Sequence, residues 1–163
     1  MDIYAAINSA AGMSSMVMSR YLDDLSDADL MTRPGPGCNH LAWQLGHLIS
    51  SEASLLDSVV PGAAPELPAG FAERHSKDKI GVDDPAQFNT KAEYLELMTQ
   101  VRGATKAALA KMSPEDLDAP APEQFRQFVP TVGDVFMLMA NHPLMHAGQF
   151  VPVRRALGKP VAI

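Results

Sequence analysis

Four long segments with helical periodicity limit the fold of this chain more than any other feature. Apolar residues recur every three or four positions in each segment, and no stretch alternates apolar and polar residues as a half-buried strand would. Helices of about 20 residues are each about 30 Å long, which suits a four-helix bundle. The sequence therefore predicts an all-α fold of this kind. The segments run from about Asp2 to Leu25, from about Asn39 to Val59, from about Lys91 to Lys111 and from about Val132 to Leu157.

Capping signals support two of the helix starts and one of the ends. Thr90 and Glu93 form a T-x-x-E capping box before the third helix, and Thr131 is the expected N-cap of the fourth. Gly158 followed by Pro160 is a stop signal after the fourth helix.

Length, charge and cysteine content restrict the class of protein. A chain of 163 residues is expected to form a single domain over residues 1–163. The net charge of −6 argues against nucleic acid or an anionic membrane as the partner. The single cysteine, Cys38, excludes an intrachain disulfide. With no basic signal-peptide region and no apolar run near the roughly 20 residues of a membrane span, we expect a cytoplasmic protein.

The connection between the second and third helices is unusually long. It runs from Pro61 to Asn89, whereas loops above about 15 residues inside a compact domain are uncommon. One interpretation is a lid over one end of the bundle. The other is a surface excursion with one helical turn near residues 68–74.

Two histidines stand four residues apart in the fourth segment, in the sequence NHPLMHAGQ. On a helix, His142 and His146 share a face that continues the apolar stripe, and that spacing lets one helix offer two imidazoles to one metal ion. Pro143 removes a backbone donor, but the pattern continues to Gly158. We therefore expect a helix that bends between Met139 and Pro143 and does not end there.

A third ligand is expected from another helix. His47 is the best candidate, because it lies in mid-helix among small residues that leave room for a ligand. His40, two turns earlier, is a rival ligand that we expect to be more exposed. His75 is expected to be a solvated residue of the long connection. Cys38 is a weaker proposal for a fourth ligand.

Two motifs resemble the DinB/YfiT-like family of metal-dependent enzymes. NHLAWQLGHLISSE, from Asn39 to Glu52, is similar to the second-helix signature of that family, with its ligand at His47. NHPLMHAGQFVPVRRALGKP, from Asn141 to Pro160, is similar to its fourth-helix H-x-x-x-H-x-G-Q pattern. With the four-helix order and the long connection after helix two, the likeness covers nearly the whole chain.

The resemblance implies a divalent metal, zinc or nickel, held by His47, His142 and His146 near one end of the bundle. It also implies a homodimer, which the fold often forms. A small-molecule substrate is expected because characterised relatives include transferases and isomerases that use low-molecular-weight thiols. Three neutral imidazoles leave an open coordination position, which is the pattern of a catalytic site. The leading hypothesis is a thiol-dependent transferase or a related isomerase.

Two alternatives remain open from the sequence. The same three histidines suit a metal-dependent hydrolase, and a bundle that only binds a metal or ligand would carry them without catalysis. No residue stands out as a general base. Glu52 is expected to be a partly exposed helix charge, Gln149 a second group on the histidine face, and Arg154 with Arg155 a basic pair at a helix end.

Overall fold

The computed structural model describes residues 1–163 and is helical throughout, with one isolated β-bridge between Pro120 and Thr131. The predicted all-α fold is confirmed. The helices are α1 (Ile3–Leu22), α2 (Asp27–Leu30), α3 (Leu41–Val59), α4 (Phe71–Arg74), α5 (Lys91–Leu109), α6 (Pro114–Asp118) and α7 (Val132–Ala156). Two 3-10 turns, Lys77–Lys79 and Pro85–Gln87, lie between α4 and α5.

Side-chain caps begin both later helices where the sequence predicts them. Thr90 and Glu93 form a reciprocal capping box at the start of α5, and Thr131 forms one with Asp134 at the start of α7. Each box satisfies two backbone donors that the first helical turn leaves free. The predicted ends of the first and third helices extend too far, because tight turns close α1 and α5 soon after Leu22 and Leu109.

His40 is the N-cap of α3 and is fully buried, so the expectation of an exposed histidine is wrong. Its Nδ1 accepts a hydrogen bond of 3.0 Å from the backbone N–H of Trp43, and its Nε2 donates to the carbonyl of Val82 at 3.1 Å. Both ring nitrogens are therefore occupied in tying the long connection to the start of α3. His40 is not a rival ligand.

Two apolar clusters set the directions of the four long helices. The first cluster takes residues from the C-terminal halves of α1 and α7 and from the N-terminal halves of α3 and α5. The second takes residues from the opposite halves. Hence α1 and α7 run in one direction while α3 and α5 run in the other. α1 packs mainly on α7, and α3 packs on both α5 and α7.

This arrangement explains the length of the segment between Val59 and Lys91. Because α3 and α5 run in the same direction, the chain must return along the full length of α3 before α5 begins. A helix of that size spans about 28 Å, a distance that a tight turn cannot cover. The return path contains α4, which coincides with the helical turn expected near residues 68–74.

His75 follows α4 and is also buried, in contrast to the solvated side chain expected from the sequence. Its Nδ1 donates to the carbonyl of Phe71 at 2.8 Å, and its Nε2 accepts from the hydroxyl of Tyr94 at 2.8 Å. Its ring lies against Gly46, where an added Cβ would be 2.1 Å from the imidazole. The missing side chain of Gly46 thus admits His75 to the core and holds the connection on α3.

Helix α7 continues through both of its prolines. It extends from Val132 to Ala156 and therefore does not end at Asn141, in agreement with the sequence; the bend near Pro143 stays a prediction. Gly158 follows the helix with a φ of 69°, the left-handed conformation expected of a glycine stop. None of the helices combines the length and apolar character needed to cross a bilayer.

Candidate metal centre

The structure brings three histidines together at the contact between α3 and α7. One potential ligand atom from each of His47, His142 and His146 lies within 4.8 Å of the others. The ring centroids are separated by 5.0 to 5.4 Å. Ligand nitrogens in a tetrahedral zinc site lie about 3.3 Å apart, so small side-chain movements would bring these three to a common ion. Histidines four residues apart on α7 and one on the adjacent helix thus form a cluster that can hold a metal.

Gln44 fixes the orientation of His146. The Gln44 amide nitrogen donates to the carbonyl of Asn39 at 2.8 Å, which leaves its Oε1 to accept from Nδ1 of His146 at 3.0 Å. Because Nδ1 carries the proton, Nε2 of His146 is the atom free to bind a metal. Metal-ligating histidines usually donate their second ring N–H to an outer acceptor, and the Gln44 oxygen takes that part here.

His47 is held by two neighbours on its own helix. Its ring stacks on the indole of Trp43, with centroids 5.0 Å apart and planes 8° from parallel. The indole N–H of Trp43 donates to the carbonyl of Ser76 at 3.2 Å, and the Ser51 hydroxyl lies 3.4 Å from Nδ1 of His47. One face of the His47 ring and its Nδ1 atom thus have defined neighbours before any ligand binds.

All three imidazoles are neutral near pH 7. Burial lowers the pKa of His47 to about 4, with smaller contributions from His142 and Lys77. Burial and the other two histidines lower the pKa of His146 to about 4, and burial lowers the pKa of His142. A neutral imidazole is the form that binds metal, so the cluster needs no deprotonation before it takes an ion.

A cavity of about 530 Å³ opens beside the cluster. That volume is typical of sites for small molecules. His47 and His142 face it, and Lys77 is the only lysine, arginine, aspartate or glutamate in its wall. The remaining wall combines hydroxyl groups of α3 with apolar side chains, among them Ser50, Ser51, Ser54, Phe125, Leu138 and Met145.

The other polar residues that the sequence singled out lie outside the histidine cluster. Glu52 is 9% exposed and forms an ion pair of 2.9 Å with Arg102, so the expectation of a partly exposed charge is wrong. Arg154 is buried and pairs with Asp24, which explains it as a contact between α7 and the end of α1. Gln149 is exposed.

Sequence reasoning missed Gln44 and Trp43 as parts of the site. Both precede His47 by three or four residues, and this spacing places all three side chains on one side of α3. That helical relationship was the available signal. Cys38 and His40 lie outside the histidine cluster.

Comparison with known proteins agrees with this architecture. The sequence profile of the DinB superfamily matches residues 13–150, most of the chain. A search among curated proteins found no match. The chain belongs to the DinB superfamily.

Proposed function

We propose that this member of the DinB superfamily is a divalent-metal enzyme, a thiol-dependent transferase or related isomerase that acts on a small molecule. His47, His142 and His146 would hold the ion, zinc or nickel. One observation carries the proposal: three neutral imidazoles converge within 4.8 Å of one another, and two of them, His47 and His142, line a cavity of about 530 Å³.

The donor set fits a catalytic ion. Three protein ligands leave at least one position open, whereas structural zinc sites are generally closed by four. No carboxylate or thiolate belongs to the cluster, so the bound ion would keep its full positive charge. When bound, such an ion supplies a Lewis acid that lowers the pKa of a thiol or of water toward neutrality.

The residues of the chain would prepare this chemistry. Gln44 holds the proton of His146 on Nδ1, and Trp43 keeps the His47 ring in one plane. The Lys77 ammonium at the cavity wall would attract an anionic group on the substrate or the thiol. Apolar side chains such as Phe125 and Met145 would bind the uncharged part of the substrate and exclude water from it.

We extend the proposal to the organisation of the protein. The four long helices would form one bundle of the DinB type over residues 1–163, with the segment after α3 as its long connection. A homodimer in a reducing cytoplasm is the corresponding assembly and location. These assignments rest on the family resemblance and on the single cysteine.

Metal analysis tests the proposal directly. Purified protein loaded with zinc or with nickel should retain about one equivalent by mass spectrometry, and His142→Ala should retain far less. A panel of low-molecular-weight thiols with electrophilic acceptors should then show conjugation that the variant lacks. Wild-type protein that retains neither metal would refute the metal centre. Ester or amide cleavage without conjugation would favour a hydrolase, and metal binding without either activity would favour a binding protein.

A further inference from the structure

A layer of polar side chains separates the two apolar clusters of the core. Ser14 on α1 and Thr105 on α5 are buried, and each lies between residues of the first cluster and residues of the second. On α3 the boundary falls between Ala53 and Leu55, and Glu52 directly precedes it. On α7 the boundary falls between Ala140 and Ala147, the segment that carries His142, Pro143 and His146.

Pro143 leaves one carbonyl of α7 without its main-chain partner. In an α-helix the N–H of residue 143 would donate to the carbonyl of Met139, but proline has no N–H. Arg102 of α5 replaces that donor, because its Nη2 lies 3.1 Å from the Met139 carbonyl. A buried carbonyl without a partner is unfavourable, so a charged donor at this point stabilises the interrupted helix.

Glu52 of α3 holds the guanidinium in place. The same Nη2 of Arg102 lies 2.9 Å from Oε2 of Glu52, and the hydroxyl of Thr105 donates to Oε1 at 2.8 Å. Burial raises the pKa of the Glu52 carboxyl, while Arg102 and Thr105 oppose that change. The side chains of Arg102 and Glu52 are nearly buried, at 12% and 11% exposed, so water does not readily compete for their contact.

This contact joins the two helices that carry the histidines. Glu52 follows His47 on α3, and Met139 precedes His142 by less than one turn on α7. Arg102 and Glu52 face a groove of about 430 Å³ that shares no lining residue with the histidine cavity. Arg102 therefore does not touch a molecule bound beside the histidines, and any effect on that site must pass through the helices.

We infer that Arg102 is a positioning residue of the metal centre: it completes α7 at Pro143 and, through Glu52, sets the spacing of His142 and His146 from His47. The part of this inference that concerns metal affinity rests on the proposed function. The contact among Arg102, Glu52 and the Met139 carbonyl does not.

A double-mutant cycle between Arg102 and Pro143 tests the inference. Pro143→Ala restores the N–H that the Met139 carbonyl lacks, so it should make Arg102 dispensable for the site. Arg102→Met should weaken zinc affinity about tenfold or more in the Pro143 protein, and less than about threefold in the Pro143→Ala protein. Lys106→Met removes another cation from the same groove, one without an ion-pair partner, and should leave affinity unchanged.

A second cycle of four proteins removes the unpaired charge that Arg102→Met leaves on Glu52. The cycle is repeated with Glu52→Gln in all four proteins, so that loss of Arg102 leaves no buried unpaired carboxylate. Cobalt(II) absorption spectra report ligand geometry, which a loss of stability alone would not alter. Rescue by Pro143→Ala in either series supports the inference, and equal losses with proline and with alanine in both series overturn it.

The experiment separates the two proposals. Wild-type protein that binds no zinc or cobalt refutes the metal centre. The coupling between Arg102 and Pro143 is then measured as free energies of unfolding in urea, with the same variants. Coupling between Arg102 and Pro143 in that measurement supports the contact that completes α7. If no metal binds, absence of this coupling in urea unfolding overturns the inference.

Discussion

The Oε1 atom of Gln44 lies 3.0 Å from Nδ1 of His146, so a side chain of α3 determines which nitrogen of an α7 histidine carries its proton. Gln44 is itself 1% exposed and is held by its second bond to the carbonyl of Asn39. The orientation of His146 is therefore set before an ion arrives, and this relationship leads to the first prediction.

Gln44→Leu should reduce zinc affinity by about 10- to 100-fold, because His146 would lose the acceptor that orients its ring. Competition with a chromophoric chelator measures the change. Gln149→Leu is the matched control, since Gln149 is exposed and should leave affinity unchanged. An equal loss in both variants would show that Gln44 does not act through His146.

Metal removal should lower thermal stability, because an ion that binds only the folded chain adds free energy to it. A free metal concentration of 100 times Kd adds about 2.7 kcal/mol to the free energy of unfolding. For a chain of this size that corresponds to roughly 5–10 °C in Tm. The increase should vanish in His47→Ala. Trp43 is the only tryptophan and stacks on His47, so its fluorescence should also respond to metal in the wild type. Unchanged Tm on addition of zinc or nickel would contradict this prediction.

Gly46→Ala should destabilise the protein even though alanine favours helices. The new Cβ would lie 2.1 Å from the ring of His75, which is buried and held by two hydrogen bonds. Overpacking of this kind costs about 1–3 kcal/mol, more than the roughly 1 kcal/mol that replacing glycine gains in a helix. Gly103→Ala on α5 has open space around the new Cβ and should stabilise instead. Urea unfolding of both variants gives the comparison, and destabilisation by both would refute the contact-based explanation.

The metal-free protein should lose stability as the pH falls from about 6.5 toward 4. Burial lowers the pKa of His75 from 6.5 to about 4, so between these values the unfolded chain binds a proton that the folded chain does not. The free energy of unfolding therefore decreases with falling pH in this window and levels off below it. His47, His142 and His146 shift in the same direction and add to the effect.

His75→Gln should show a smaller decrease in the free energy of unfolding than the wild type between about pH 7.5 and about pH 4.5, since one of the shifted groups is gone. Both proteins are unfolded in urea with a chelator present, so that metal release does not contribute. An identical decrease in the two proteins would mean that His75 is not kept neutral by the fold.

Local patterns predict the helices and two of the three histidines of the metal centre. The capping boxes at Thr90 and Thr131 depend on residues three positions apart, and the pairing of His142 with His146 depends on one helical turn. Such relationships are set by backbone geometry and need no knowledge of the fold. His47 could be singled out, but only as the best of several histidines and through a family resemblance.

Contacts between distant segments could not be read in the same way. His40 and His75 look like solvated polar residues in sequence, yet both are buried, because backbone carbonyls and Tyr94 supply the partners that their ring nitrogens need. Glu52 is buried for a similar reason, because it pairs with Arg102, which lies fifty positions later in the sequence on the adjacent helix α5. Burial of a polar group depends on whether a partner meets it, and that partner is chosen by packing.

The sequence by itself determined that this chain is helical, where its long helices begin, and that α7 offers two imidazoles on one face. Only the tertiary structure decided that His47 meets them, that Gln44 sets the tautomer of His146, and that Arg102 supplies the donor that Pro143 lacks. The physical reason is range. Helix periodicity and capping act over three or four residues, whereas the site is assembled from α3, α5 and α7, whose relative positions follow from burial of two apolar clusters.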